Sequence, residues 1–265
     1  MLSQLKNIWH ECFGDDEKYI DMYFGGRFKK GRCLVYTEND IPCAMLIIYD
    51  TKIKSGGEDM PVSYIYGVAT HPDYQGKGIS TKLLEYAKDL ISKEGGFSVL
   101  APATKELIEF YEKRGYYKSF FVKQAEWDVS ENDINAEFSD VSAGEYKRLR
   151  DIRFDREGYI SWSGDIIEYA LHENHFFGGK TRKISVDGAE YAVMYYVNDG
   201  MLYVQETTLT DEVVADALNV LAKEEGCTKV SARLCANSRI DGEIKTLAMA
   251  DKRLSGSGYF NIVFD

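Results

Sequence analysis

The chain has little of what a metal centre, a disulfide framework or a membrane span requires. Its five cysteines, Cys12, Cys33, Cys43, Cys227 and Cys235, are dispersed and form no Cys-x-x-Cys pair. An odd, scattered set argues for reduced, buried thiols and against a zinc ribbon or a disulfide frame. Of four histidines only His172 and His175 lie close together, and no second ligand pair accompanies them, so a surface or packing role is expected and no metal is. No apolar run is long enough to cross a bilayer, and Met1-Leu2-Ser3-Gln4-Leu5-Lys6 lacks the apolar core of a signal peptide. A cytoplasmic protein with no membrane partner is expected. Positive charge is also scarce, with 32 Lys and Arg against 43 Asp and Glu and a net charge of −11. That balance reverses the sign of phosphate attraction and disfavours nucleic acid as a partner, whereas an amine substrate suits the field.

What remains is an ordinary globular composition, 45% hydrophobic and 28% charged over 265 residues, enough for one large domain or two small ones. The most informative stretch is Val68-Ala69-Thr70-His71-Pro72-Asp73-Tyr74-Gln75-Gly76-Lys77-Gly78-Ile79-Ser80, followed at once by the helical run Thr81 to Ile91. An apolar strand stops at a proline, a glycine-punctuated loop follows, and a helix begins whose first turn offers unpaired N–H groups and a positive dipole end. This is an anion cradle. Two glycines one residue apart are expected to let the backbone approach a diphosphate without Cβ collisions, with Lys77 between them adding positive charge. A P-loop would need Gly-x-x-x-x-Gly-Lys-Ser/Thr, which Gln75 to Ser80 does not supply. A dinucleotide fingerprint would need a third glycine where Thr81 stands and an acidic ribose anchor beyond a second parallel strand.

The segment Gln75-Gly76-Lys77-Gly78-Ile79-Ser80 resembles motif A of the GNAT N-acetyltransferases, Gln/Arg-x-x-Gly-x-Gly/Ala, with Ser80 in the last, small-residue position. Downstream, Phe110-Tyr111-Glu112-Lys113-Arg114-Gly115-Tyr116 resembles the end of motif B, where a helix closes with a tyrosine and a glycine cap. Strand, cradle, long helix, strand, short helix, strand over residues 31 to 128 is the order of that family. The resemblance implies an α/β (α+β) fold with a mixed, mostly antiparallel sheet flanked by helices. It implies acetyl-CoA as cosubstrate, held by Val68, Ala69, Thr70, Gln75, Gly76, Lys77, Gly78, Ile79, Ser80 and Thr81. In the family the backbone groups at positions matching Val68 and Thr70 bond the pantetheine arm like an added strand. Tyr111 matches the motif B tyrosine whose hydroxyl lies near the thioester sulfur, which makes it the candidate general acid for the leaving thiolate, and the oxyanion would rest on the N–H near Val68 or Ala69.

The implied reaction is acetyl transfer to a primary amine of a small molecule or peptide, by direct attack in a ternary complex. A CoA-binding regulator without catalysis, or acyl transfer to a hydroxyl, stays open as an alternative, and a homodimer is compatible with the sequence. No general base is legible. The strand before the cradle carries Tyr64 and Tyr66 where some relatives carry a Glu, so a water relay is the default. Tandem-GNAT aminoglycoside acetyltransferases place a C-terminal carboxylate in the acceptor site, and this chain also closes on a strand-like run, Tyr259 to Phe264, then Asp265.

Along the first half, Leu5 to Cys12 and Asp16 to Phe28 read as helices broken at Gly14, with Phe13 to Asp16 an acceptor-side wall by resemblance. The family's first strand is missing ahead of them. Cys33 to Thr37 and Ile41 to Tyr49 read as a hairpin, Lys52 to Asp59 as a polar loop, Val62 to Ala69 as the central strand and Ser98 to Pro102 as the next. Thr104 to Arg114 reads as the short helix.

The polar stretch Ser130 to Asn135 reads as a linker, dividing the chain into residues 1–130 and 136–265. Beyond it come helices around 143–153 and 165–173, turns at 186–188 and 198–200, strands 191–197 and 202–207, a helix 211–225 and a strand 229–234. That order repeats residues 5 to 101, which predicts a second, degenerate GNAT-like unit or, as the alternative, another α+β domain that shares a common element order. Where its cradle should be stands Thr207-Thr208-Leu209-Thr210-Asp211-Glu212, with no glycine and two acids, so this half is expected to bind no CoA. Tyr159, Trp162, Phe176 and Phe177 are its candidate acceptor contacts.

Overall fold

The computed structural model describes residues 1–132, 134–256 and 258–262. The expected carboxylate of Asp265, the run leading to it beyond Ile262 and residue 133 of the linker lie outside the described residues. The chain forms two compact units, one of Met1–Lys118 with Ala248–Leu254, the other of Ser119–Leu247 with the described residues from Ser255 onward.

The first unit opens with α1 (Leu2–Phe13) and α2 (Glu17–Gly25). Gly14 closes α1 in the left-handed region at φ 74°, and the Asp16 carboxylate caps α2 by accepting from Tyr19 N–H at 2.8 Å. Helix α2 stops at Gly25, short of the expected Phe28, and a 3-10 turn over Arg27–Lys30 leads on. Strands β1 (Arg32–Glu38), β2 (Ile41–Ser55) and β3 (Glu58–Thr70) form an antiparallel meander. The stretch 52–59 is therefore not a loop. Gly56 and Gly57, at φ 62° and 82°, make a two-residue turn, and the ladder continues out to Ser55 paired with Glu58. After the cradle come α3 (Ile79–Lys93), β4 (Ser98–Leu100) and α4 (Lys105–Glu112), with β4 parallel to β3. The core between sheet and α3 is built from Ile48, Ile65, Leu84, Ala87, Leu100 and their neighbours.

The second unit contains β5 (Tyr117–Asp128), β6 (Ala136–Ser139), α5 (Ala143–Phe154), the two-residue β7 (Ile160–Ser161), α6 (Gly164–Phe176), β8 (Lys180–Val186), β9 (Ala189–Asn198), β10 (Met201–Thr207), α7 (Val214–Glu224) and β11 (Lys229–Cys235). Strands β8, β9 and β10 form an antiparallel meander, and β10 is parallel to β11 across α7. The pairing scheme of α1-α2-β1-β2-β3-α3-β4 thus recurs in α5-α6-β8-β9-β10-α7-β11. The sequence reading missed β6, which pairs with β8, and β12 (Glu243–Ala250).

Each parallel strand receives its next neighbour from the other half of the sequence. Strand β5 pairs antiparallel with β11 along its length, from Asp128 opposite Lys229 to Val122 opposite Cys235. The end of β12 returns to the first unit, where Met249 pairs with Leu100 and Ala250 with Val99. By their internal packing the two units divide between Lys118 and Ser119. The polar stretch is packed on α7: Asn132 donates to the Asp216 carbonyl, Asn219 donates to Ser130 Oγ, and Glu131 pairs with Lys223.

Candidate functional site

The site in the first unit is shaped by the parting of two strands. Parallel register between β3 and β4 holds for two pairs, Ser63 with Ser98 and Tyr64 with Val99. Strand β4 then ends at Leu100, whereas β3 runs on to Thr70. Along that extension the ladder to β2 slips by one residue, with Tyr66 opposite Ile47 but Ala69 opposite Met45. Gly67, at φ 60°, is the pivot of this bulge, and a Cβ there would lie 2.8 Å from the Trp9 ring and 3.0 Å from Ile47 Cδ1. The bulge kinks β3 where it leaves β4. An isolated glycine inside a strand pattern was the available signal for it.

The cradle follows directly. Gly76 and Gly78 adopt φ 76° and 73°, and nothing lies within 4 Å of a Cβ built on either. Their requirement is thus the left-handed backbone, not clearance from protein atoms. Gly78 is the N-cap of α3, and no side chain caps the helix, so its first N–H groups face outward. Gln75 is exposed, but its Nε2 donates to the Thr70 carbonyl at 3.0 Å and braces the loop against β3. Lys77 lies over the Tyr74 ring at 4.7 Å and 3.8 Å from Glu38, an exposed and weak pairing that leaves its charge at the cradle. Ile79 is buried, Ser80 is half-buried, and Thr81 is engaged.

The partner of Thr81 is a residue the sequence reading passed over. Arg114 donates to Thr81 Oγ1 through Nε at 2.9 Å and Nη2 at 2.7 Å, and to the Phe110 carbonyl through Nη1 at 2.7 Å. Its guanidinium covers the Phe110 ring 3.3 Å from the centroid. A fixed cation thereby sits at the first turn of α3, where the dipole already favours an anion. Nothing local in the sequence marks it, since the contact joins residues 33 apart.

At the end of β3 the Thr70 carbonyl accepts twice, from Gln75 and from Cys12 Sγ at 3.2 Å. Burial raises the Cys12 thiol pKa, so it stays protonated and donates. This carbonyl is therefore taken, and the Thr70 group left over is its hydroxyl, whose buried Oγ1 has no partner among the described residues. Ala69 is buried and Val68 half-buried beside it.

Tyr111 closes α4 with 7% of its surface exposed, packed edge-on to Tyr116 at 5.7 Å between ring centroids. Burial pushes its phenol up to about 12, opposed by the Arg114 charge. It is a proton holder at neutral pH, able to act as an acid and unable to act as a base.

On the other side of the bulge stands an aromatic cluster. Arg27, 1% exposed, lies 4.4 Å from the Tyr49 ring and 4.5 Å from that of Tyr66, with Tyr64 at 6.0 Å. Trp9 stacks near Tyr23 at 4.3 Å and donates from Nε1 to Asp15 at 2.7 Å. The acids of the Phe13 to Asp16 wall are thus structural, Asp15 holding Trp9 and Asp16 capping α2, while Phe13 is 45% exposed.

In the second unit the counterpart of the cradle is consumed by the fold. Thr208 Oγ1 accepts from Ala192 N–H, Thr207 Oγ1 donates to the Ala192 carbonyl, and Asp211 accepts from Ser238 and from Arg239 N–H. Tyr159 and Trp162, expected as acceptor contacts, are core residues at 1% exposure, Tyr159 bonding Arg150 and Asp151 and Trp162 packing edge-on to Phe260 at 5.5 Å between ring centroids. Phe176 and Phe177 are exposed at the end of α6. His175 hydrogen-bonds Thr181, and the described residues hold no group of three His, Cys, Asp or Glu that could bind a metal. No described helix is long and apolar enough to cross a membrane.

Residues 1–118 match the acetyltransferase (GNAT) domain family. No curated protein matches the chain. Among solved structures, a probable N-acyltransferase from Enterococcus faecalis is similar over 94% of this chain and 69% of its own, with TM-score 0.75 and 13% identity. A GCN5-related N-acetyltransferase from Anabaena variabilis covers the same shares at TM-score 0.73 and 18% identity. Another from Kribbella flavida covers 94% of this chain and 68% of its own at TM-score 0.69 and 19% identity. At such identities the likeness is one of fold, and it extends over both units.

Proposed function

Because residues 1–118 match the acetyltransferase (GNAT) domain family, we propose that this protein is an acetyl-CoA-dependent N-acetyltransferase acting on a primary amine of a small molecule or peptide. The observation that carries the reading is the uncapped first turn of α3, set between two left-handed glycines and the fixed guanidinium of Arg114. Its donors, N–H groups and cations, match a diphosphate.

When bound, acetyl-CoA supplies the acetyl thioester that an amine attacks. The N–H groups of Gly78, Ile79 and Ser80 hold the diphosphate, with Arg114 and Lys77 offsetting its charge. The end of β3, Val68 to Thr70, lies open where β4 has stopped and aligns the pantetheine arm, the Thr70 hydroxyl being its free polar group. The N–H near Val68 or Ala69 stabilises the oxyanion. Tyr111, kept protonated by burial, gives its proton to the departing sulfur and regains it from solvent. Tyr66 and the Phe13 to Asp16 wall border the acceptor, and water carries the amine's proton away.

The second unit is a degenerate GNAT-like repeat that binds no CoA, in keeping with its repeated pairing scheme and its occupied Thr207 to Asp211 loop. Titration calorimetry with acetyl-CoA tests the assignment. One site per chain is expected, abolished by Gly78→Glu, which sets a carboxylate at the cradle. Unchanged affinity in that variant would overturn the reading. A screen of amines, amino acids, polyamines and aminoglycosides by free-CoA release then identifies the acceptor.

A further inference from the structure

The two units finish their meanders differently. In the second unit β8 opens the meander, and β6 covers its outer side, pairing antiparallel from Ala136 opposite Val186 to Ser139 opposite Lys183. By element order β1 is the counterpart of β8, the first strand after two helices. Strand β1 pairs with β2 on one side, and no described strand pairs with it on the other. The place that β6 fills in the second unit is open in the first.

The two outermost strands also differ in chemistry. Strand β6 is four residues long, Ala136-Glu137-Phe138-Ser139, with Glu137 and Ser139 exposed. A short strand carrying a charge is a blunted edge, ill suited to further pairing. Strand β1 is seven residues long and has neither charge nor proline from Cys33 through Thr37. The bulge in its ladder puts the extra residue, Cys43, on β2, which leaves β1 without an inserted residue. Leu34 and Tyr36 pack on the core beneath α3, and the alternation of a strand turns Cys33 and Val35 to the opposite face. An uncharged edge of this length is a template for one more strand.

Charge selects the strand and its direction. Strand β1 begins on a cation, Arg32, and ends on an anion, Glu38. A second copy laid antiparallel, with Val35 on the two-fold axis, sets Arg32 opposite Glu38 of the partner subunit, and Leu34 opposite Tyr36 of the partner subunit. A parallel copy in register would set like charges side by side. Arg32 keeps its bonds to Asp50 and Glu94 in this arrangement, so the direction rests on the order of charges along the strand and on no unspent donor. Antiparallel is also the direction of β6 against β8.

We propose that β1 is a dimer interface, two copies of this chain pairing β1 with β1 antiparallel about an axis at Val35. Each copy then supplies to the other the strand that β6 supplies within the second unit. The contact is isologous and closes at two copies, with about six backbone hydrogen bonds across the axis. The pairing needs no acetyl-CoA, so it stands or falls apart from the acetyltransferase reading.

Sedimentation velocity on the full chain tests the pairing. A dimer is expected, with a dissociation constant below about 10 µM. Val35→Lys sets two lysines face to face at the axis, and Thr37→Lys sets a charge on the edge; each should raise that constant about tenfold or more. Thr37 is already exposed, so its variant keeps the fold, and far-ultraviolet circular dichroism checks both. The register is tested by cross-linking in a Cys33→Ser background. There Val35→Cys should form a disulfide between subunits on oxidation, because opposed residues of an antiparallel pair lie about 4.5–5.5 Å apart at Cα, within disulfide reach. Thr37→Cys in the same background should not, because it faces position 33 of the partner subunit, where no thiol remains. A chain that is monomeric at about 100 µM overturns the proposal. So does a dimer that both folded lysine variants leave intact, or one in which Val35→Cys fails to cross-link.

Discussion

Asp251 holds Ser98 from 153 residues further along the chain, accepting from its backbone N–H at 2.9 Å and from its hydroxyl at 2.8 Å. The Ser98 hydroxyl in turn lies 2.7 Å from that of Tyr116, and Asp251 N–H donates to the Ser98 carbonyl at 3.0 Å. This clasp fastens the returning end of β12 to β4, the strand whose early end opens the candidate site. Ser98 is fully buried, so removing Asp251 leaves its N–H unsatisfied and its hydroxyl with Tyr116 alone. Asp251→Ala should therefore cost about 1–3 kcal/mol in chemical denaturation, with Asp251→Asn costing less because its amide oxygen still accepts.

A chain ending at residue 130 should not form the first unit. It lacks Met249, a fully buried member of the core that contains Leu100, Tyr111 and Tyr116, and leaves Val99 and Leu100 without their antiparallel partner. Circular dichroism and hydrogen exchange of the fragment are expected to show no protected core. Cooperative unfolding of that fragment with full acetyl-CoA affinity would refute the exchange as a requirement.

The cradle was legible because its glycines carry the information locally: at φ 76° and 73° only a residue without a Cβ is at ease. The recurring element order was legible for the same reason, hydrophobic period and turn residues being local. The strand exchange was not, since Glu243 to Ala250 shows three exposed residues and then an apolar run, and no residue in it records a partner near position 100. Gly56 and Gly57 were misread because consecutive glycines in a polar stretch suit a loop and a two-residue hairpin turn alike, and only the ladder beside them decides. Arg114 was missed because its role arises from a helix 33 residues away in sequence.

Gly67→Ala should destabilise the first unit by about 2–4 kcal/mol, combining a left-handed backbone with displacement of the Trp9 ring. The control is Gly57→Ala, at φ 82° with nothing within 4 Å of its Cβ. It should cost only about 1 kcal/mol, the backbone part alone. Equal losses in thermal or urea unfolding would mean that the Trp9 contact is not a constraint.

Arg114→Met should raise the dissociation constant of acetyl-CoA about tenfold and flatten its dependence on ionic strength, because a fixed charge beside the cradle is removed. Thr81→Val keeps that charge but unhooks the two hydrogen bonds at 2.9 Å and 2.7 Å, so its effect on affinity should be smaller. An unaltered salt dependence in Arg114→Met would reduce Arg114 to a strut joining α4 to α3.

Tyr111→Phe should leave acetyl-CoA affinity nearly intact and lower turnover about a hundredfold, since only the leaving thiolate needs the hydroxyl. The pH profile distinguishes this from a packing defect. Burial pushes the phenol from its ordinary value of 10 up to about 12, so the acid form persists as pH rises and is lost only as pH passes through about 12. Any alkaline limb in turnover attributable to Tyr111 must accordingly lie above about pH 11, well beyond that of a solvated tyrosine. The same shift favours the folded state below pH 10, a contribution that fades as pH climbs from 10 towards about 12 and that the phenylalanine variant lacks. Turnover equal to that of the parent chain, measured once an acceptor is known, would leave Tyr111 a packing residue and hand the proton to water.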